Sequence, residues 1–423
     1  MLVVSFLALA ALWPSPKLEQ ARAWPVLRVP RGVEALCGAV GVALFGGLVY
    51  AGLAGTQSAT ENLLPTFVFV VFWVGLVVAS VVFGDVFRAF NPWRALGRAA
   101  GWLFQRISGA AAPRPLEYPE RLGHWPAVAG LVAFGWVELV SGFSEEPDVL
   151  AGLALGYAIA QLLGMALYGV EAWTQRGDTF AVYFGMFARL APVGVQERRL
   201  VLRPPLVGVS AAPAVRATVA FLCAAIGVTA FDGAAQGSLW RSAGDALQDA
   251  VAGLGFGASA AFKVSQTIGL LATIAVVALV WRIGMAGVRS VTSAVTRAEL
   301  GRRFAHSLVS IACAYVVAHY VSLLVFQGQA VAGLISDPLG DGSDLFGTAG
   351  TAIDYTVLSA SGFWYIQVGA LVVGHVAALV LAHDRALTIF PKPEEAVRSQ
   401  YWMLAVMVGF TTLGLWLLAQ ANA

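Results

Sequence analysis

Nine continuous apolar runs, separated by short polar segments, organise the chain. They lie near 33–55, 65–84, 126–143, 149–172, 215–231, 265–286, 305–327, 362–382 and 401–420. Each is long enough to cross ~30 Å of hydrocarbon as a helix of roughly 20 residues. The runs do not alternate, which predicts helices and not barrel strands. Several are rich in Gly and Ala, which lets helices approach closely in lipid. The expectation is an all-α, polytopic transmembrane helical bundle of about nine spans. Ahead of it, "MLVVSFLALAALWP" is apolar for only about 13 residues, too few for a full span. It lacks a basic n-region and a small-residue cleavage site. It reads as a partial or interfacial first helix, or as a span whose start lies upstream. The expected organisation is a partial apolar segment and cytoplasmic linker over 1–32, then one transmembrane domain over 33–423.

Between the runs, three segments have helical periodicity with a polar face. In "NPWRALGRAAGWLFQRI" (91–107), Trp93, Leu96, Ala100, Leu103, Phe104 and Ile107 recur at helical spacing while Arg94, Arg98 and Arg106 project elsewhere. Pro92 suits a first turn and Asn91 its cap. "GDTFAVYFGMFARLAP" (177–192) is read the same way, with Asp178 or Thr179 as cap. Both are expected as amphipathic helices in the headgroup region. "LWRSAGDALQDAVAGLG" (239–255) predicts a short surface helix at the opposite face. The segment 328–361 is long and fairly apolar, and such a loop is expected to fold back over the bundle. Within it, "DPLGDGSD" lacks calcium-loop ligand order and reads as turn chemistry. No internal repeat of the inverted-transporter kind is visible.

Composition agrees with lipid as the solvent. The 423 residues are 59% hydrophobic and 12% charged, half the charge of ordinary soluble domains. Charge then sets orientation. With the segment before residue 33 cytoplasmic and nine spans alternating, every one of the 26 Lys and Arg except Arg241 and Lys263 falls on the inner side. That is the positive-inside pattern, and it predicts an outer C-terminus. The outer segments hold the acids, among them Glu145, Asp148, Asp232, Asp245, Asp337 and Asp344. The basic face suits anionic membrane lipid as a partner; nucleic acid is not expected. Cys37, Cys223 and Cys313 all fall within runs, so no disulfide framework or zinc spacing is predicted.

Ionisable groups at membrane depth are costly and point to function. Glu138, His319 and His375 are the candidates, at depths of ~7, ~12 and ~20 Å below the outer surface. The seventh and eighth runs are consecutive, so His319 and His375, with Glu138, form a candidate ligand set for a divalent transition metal. Gln161 is expected to join helices by hydrogen bonding. His124, His306 and His383 sit at the inner boundary, where histidine needs no special account. Haem b is the alternative cofactor. His306 and His319 are 13 apart and His375 and His383 are 8 apart, which fits one haem better than a stacked pair.

Four stretches, "TFVFVVFWVGLVVASVVFGDVFRAFNPWRA", "GHWPAVAGLVAFGWVELV", "RRFAHSLVSIACAYVVAHYVSLLVFQGQ" and "SDPLGDGSDLFGTA", resemble a family of bacterial multi-span membrane proteins labelled fenitrothion hydrolase. The resemblance runs from about residue 33 onward. It implies a bacterial inner-membrane protein that hydrolyses an organophosphate triester, and it carries no catalytic residues over. A metal-activated hydroxide held by His319, His375 and Glu138 is the chemistry such a reaction needs. No HExxH or GxSxG accompanies it.

Three functions therefore stand as expectations. One is a metal-dependent hydrolase with an outward-opening polar site for a small apolar ligand. The second is a transporter or permease using the same groups, and the third a haem- or copper-binding redox subunit working with other membrane subunits. The charge pattern makes a prediction of its own. Single cysteines placed by Asp337→Cys and Arg297→Cys should label from opposite sides of intact cells, Asp337→Cys from outside with a membrane-impermeant maleimide. Labelling of Arg297→Cys from outside would overturn the orientation.

Overall fold

The computed structural model describes residues 1–109, 114–291, 295–390 and 392–421. In chain order, α1 (Leu2–Leu12) and β1 (Trp24–Arg28) precede the long helices α2 (Arg31–Ala54) and α3 (Leu63–Phe83). Then come α4 (Val86–Phe90), α5 (Pro92–Ser108), α6 (Trp125–Ser141), α7 (Pro147–Tyr168), α8 (Val170–Arg176) and α9 (Thr179–Phe187). A hairpin of β2 (Val193–Gln196) and β3 (Arg199–Leu202) leads to α10 (Thr218–Ala235) and α11 (Ser238–Gly253). The chain closes with α12 (Ala258–Arg289), α13 (Arg297–Phe304), α14 (Ser307–Ser336), α15 (Ala360–Ile389) and α16 (Pro393–Ala421).

The fold is helical, and seven helices among the described residues are long and apolar enough to cross a membrane: α2, α3, α7, α10, α12, α14 and α15. The runs near 126–143 and 401–420 fall in the shorter α6 and in α16, outside that set. α10 and α14 are the most buried of the seven and form the centre. α15 packs along α14, α12 along α10, and α16 against both α12 and α15. The outer helices turn large apolar side chains outward at helical spacing: Leu36, Val40 and Leu44 on α2, Ile159 and Leu163 on α7, Val276, Leu279 and Ile283 on α12. Such a girdle suits hydrocarbon.

Polar side chains set where helices begin. Asn62, fully buried, accepts from Leu64 N at the start of α3 and donates to the carbonyls of Ala51 and Thr56, both at 2.8 Å. Asn91 caps α5 through Arg94 N, and Asp178 caps α9 through Ala181 N, as expected from their types. α5 leaves Trp102, Leu103 and Ile107 exposed while Arg94 and Arg98 pair inward with Glu34 and Glu171, in keeping with an interfacial helix. α11 lies on α12, with Trp240 Nε1 donating to Gln266.

Two expectations fail here. The segment 177–192 is no surface helix: nearly every residue of α9 is buried. Its sequence explains this, because it is apolar and aromatic all round and its arginine, Arg189, comes after the helix. A three-stranded sheet of order β1-β3-β2 was also not expected. Its β2–β3 turn holds Glu197 and Arg198 at positive φ, 47° and 61°. That is the hairpin geometry normally signalled by Asn-Gly, so the sequence carries no warning of it.

The loops gather at two ends. At one, Thr56 N donates to Leu339 O at 2.7 Å and Asp148 N to Gln57; of the expected loop 328–361, the first residues continue α14 to Ser336, and 337–359 folds back onto neighbouring loops. Asp337 accepts from Asp341 N and Gly342 N, the turn chemistry expected of "DPLGDGSD". At the other end, Arg88, Arg176, Arg189, Arg303 and Arg385 surround one cavity.

The N-terminal segment is tied to this basic end. Asp384, buried near the end of α15, accepts from Trp13 Nε1 (2.9 Å), Lys17 N (2.6 Å) and Leu18 N (3.1 Å). His383 Nε2 donates to Trp13 O at 3.0 Å, and Arg385 pairs with Glu19. Replacing Asp384 by alanine leaves three donors without their acceptor. Asp384→Ala should cost roughly 2 kcal/mol or more, and limited proteolysis should then cut between α1 and α2 faster than in the parent.

Candidate functional site

The mid-section of the bundle brings two carboxylates and an imidazole together. His319, on α14, donates from Nε2 to Asp232 Oδ2 on α10 at 2.9 Å. Gly233, the next residue on α10, packs against the His319 ring, where a Cβ would stand in van der Waals contact at 3.4 Å. Glu138 comes from α6, where the helix widens to a π-helix over Val137–Ser141. It lies close enough to Asp232 to feel its charge. Tyr320 faces both carboxylates, and Tyr183 on α9 faces Glu138 and Cys313. Trp73 belongs to a second π-helical stretch, Phe67–Gly75, and stacks on Tyr183 with ring centroids 4.6 Å apart and planes at 11°. π-Widening inside helices gathers at functional sites because it re-aims side chains.

This neighbourhood is under-satisfied. Among the described residues, Trp73 Nε1, Glu138 Oε2, Tyr183 Oη and Tyr320 Oη are buried and form no hydrogen bond of good geometry, although Tyr320 lies near enough to Trp73 and Asp232 to interact with both. A buried polar group left unpaired costs about 1–3 kcal/mol. Hydroxyls, an indole and a carboxylate oxygen gathered near Asp232 make a place to hold a proton or a polar ligand.

Cavities approach this cluster from both ends. A pocket of about 360 Å³ is walled by Leu139, Asp232, Gln236, Trp240 and Gln266, and reaches the pair from the acidic end. A larger one, about 620 Å³, enters from the basic end and is walled in part by Val182 and Met186 of α9 and Val309 of α14. Tyr183 follows Val182 directly, so α9 is a thin partition between the large cavity and the cluster. His124 and His306 also line the large cavity. Burial, and then the charge of Arg385, hold the His306 imidazole down to about 4. It is neutral at pH 7 and donates to one of the two carbonyls beside it, Arg303 O at 2.9 Å or Leu381 O at 3.2 Å.

Of the three residues expected to share a metal, Glu138 and His319 meet at one cluster and His375 does not join them. α14 and α15 pack through small residues, a Cβ at Gly374 coming within 2.3 Å of the Ala314 Cβ. His375 is thereby set beside Tyr315, one turn from His319, with Nδ1 at 2.6 Å from Leu371 O of its own helix. Among the described residues no group of three or more His, Cys, Asp and Glu stands close enough to hold a metal ion. The donor set does not fit that cofactor. Haem fits no better: His306 lies between two carbonyls and His383 donates to Trp13 O. Gln161 accepts from Trp173 Nε1 at 2.8 Å and joins α7 to α8, as expected of a neutral glutamine.

Asp232 was missed as a site residue because the fifth run ends at Phe231, and the acid after it reads as loop. α10 continues to Ala235 and carries Asp232 inside. Trp73, Tyr183 and Tyr320 carry no sequence signal, being aromatics among aromatics.

In comparisons with known proteins, no family model, curated protein or solved structure matches the chain. A double-mutant cycle on Asp232→Ala and His319→Ala, read by unfolding in detergent, should give a coupling of about 1–2 kcal/mol. Strict additivity would mean that the pair is not formed.

Proposed function

We propose that the protein is an integral inner-membrane permease that carries a proton through its mid-section, with its acidic face outside and its basic face in the cytoplasm. The carrying observation is Glu138 Oε2, buried without a partner beside an Asp232–His319 pair that opens to the acidic-end pocket. Ionisable groups in an apolar bundle serve proton relays and ion paths more than any other role. Cavities that approach one polar layer from opposite ends suit a path whose access alternates. In this reading a proton enters by Asp232, is shared with His319, and passes by way of Glu138 toward Tyr183 at the partition. His319 is suited to the task because an imidazole can take a proton at one ring nitrogen and release it from the other. Its Nε2–H is oriented by Asp232.

The hydrolase that the family resemblance implies would use the same pair differently. Asp232 would fix the His319 tautomer, and His319 would act as general base for water attacking a phosphotriester. The pocket beside Asp232 favours that reading to the extent that it offers space for a small apolar ester. The convergent metal ligands that such hydrolases commonly use do not stand together here.

The experiment that separates the two uses proteoliposomes carrying a pH-sensitive dye. An imposed membrane potential should drive proton uptake in the parent protein, with the flux lost in Glu138→Gln and His319→Asn. Equal flux in parent and variants would sink the permease reading. Turnover of a chromogenic phosphotriester, abolished by His319→Asn, would replace it with the hydrolase.

A further inference from the structure

The basic-end cavity holds more positive charge than the fold uses. Among its walls, Arg88 pairs with Glu171, Arg302 and Arg303 share Glu299, and Arg385 pairs with Glu19. Those arginines have structural partners. Arg176, Arg189 and Arg203 also line the cavity, and among the described residues none of them forms an ion pair. Arg203 donates to the carbonyls of Ala191 (3.0 Å) and Ala188 (2.9 Å), which orients the guanidinium without neutralising it. Two glycines make its seat. A Cβ at Gly208 would lie 2.2 Å from the guanidinium carbon, and one at Gly194 would lie 3.2 Å from Nη1. Arg176 lies over the Tyr118 ring at 5.4 Å. The guanidinium of Arg189 has no hydrogen-bond partner among the described residues.

Asp85 is the one carboxylate on the wall, and its Oδ1 is occupied in capping α4 through Arg88 N. The cavity histidines contribute no charge at pH 7: His306 is held to about 4, and burial also lowers His124. Arg176, Arg189 and Arg203, set against Asp85, leave two positive charges over, and the sharing of Glu299 by Arg302 and Arg303 leaves a further one on the wall. Burial lowers the pKa of Arg189, and burial together with Arg189 lowers that of Arg203, the mark of cations short of counter-charge. Arg176, Arg189 and Arg203 are each partly buried and line one open space with only Asp85 on its wall among the described residues, an arrangement that suits an anion.

We propose that this cavity binds a phosphate-bearing dianion, held by Arg176, Arg189 and Arg203. Charge and geometry select that class. A phosphate monoester carries about −1.5 to −2 at pH 7, which matches the surplus of these three over Asp85. Guanidinium forks deliver paired N–H donors to its oxygens in a way that a halide cannot use. The volume of about 620 Å³ exceeds a bare phosphate and accommodates the rest of an ester. A soluble phosphate ester and a lipid with a phosphomonoester headgroup present the same chemistry. This site lies in the basic-end cavity that the proposed proton path also uses for access, but anion binding by its arginines requires no proton transfer at Glu138.

The test uses the full-length protein in detergent and in lipid nanodiscs. Inorganic phosphate and pyrophosphate should raise its unfolding temperature above chloride at equal ionic strength. Arg189→Gln should weaken that response roughly tenfold or more, the effect of taking one charge from a desolvated charge pair. Arg176→Gln supplies a second variant. Arg106→Gln, on the exposed face of α5, should leave the response intact, as should Glu138→Gln, so that failure of the proton reading does not affect the outcome. Nanodiscs containing phosphatidic acid, compared by native mass spectrometry with phosphatidylglycerol, identify the source. Retention of phosphatidic acid that is lost in Arg189→Gln assigns a lipid ligand, and a response to soluble phosphate alone assigns a soluble one. Stabilisation by chloride equal to that by phosphate, or binding unchanged in both arginine variants, would overturn the proposal.

Discussion

An apolar bundle offers a buried polar group no water, so each one has to be answered from within the protein. Asp178 is answered in full. Its carboxylate accepts from Asn91 Nδ2 (2.9 Å), Trp93 Nε1 (2.6 Å), Tyr157 Oη (2.9 Å) and Ala181 N (3.2 Å). Those donors come from the start of α5, from α7 and from α9, so one side chain fixes three elements against each other. Asn62 does the same between α2 and α3, and Asp384 binds the N-terminal segment to α15. Around Asp178 an aromatic core fills the space: Phe72 meets Phe180 at 4.7 Å and Tyr183 meets Phe187 at 4.8 Å. α9 owes its buried position to both.

The mid-section departs from that economy, which is why it stands out. Among the described residues, four polar atoms from α3, α6, α9 and α14 are buried without a hydrogen bond of good geometry near Glu138 and the Asp232–His319 pair. Trp73 stacks on Tyr183, and the two π-helical stretches carry Trp73 and Glu138 into the same neighbourhood.

The basic end follows a different logic. Several of its arginines, Arg88, Arg98, Arg302 and Arg385 among them, are paired with glutamates. Pairs of that kind contribute little to stability. The difference between these arginines and Arg189 or Arg203 is one of depth and partners. A carboxylate answers the first group, and backbone carbonyls or nothing answer the second. α9 lies between this charged space and the cluster, Val182 lining the cavity and the next residue, Tyr183, lying near Glu138.

The helical class and the presence of long apolar helices were legible in the sequence, because they depend on sums over many residues. Caps were legible too: Asn91 and Asp178 act locally, and their neighbours are in the chain beside them. Glu138 and His319 stood out as ionisable groups in apolar runs. Their joining through Asp232, and the separation of His375, were decided by how the helices close on one another, α15 approaching α14 at Gly374. The burial of α9, the Glu197–Arg198 turn and the surplus of guanidinium around Arg189 are likewise properties of contact between distant segments. Composition and periodicity report what one segment prefers, whereas a site requires several segments at once, and only packing chooses among the arrangements that preference allows.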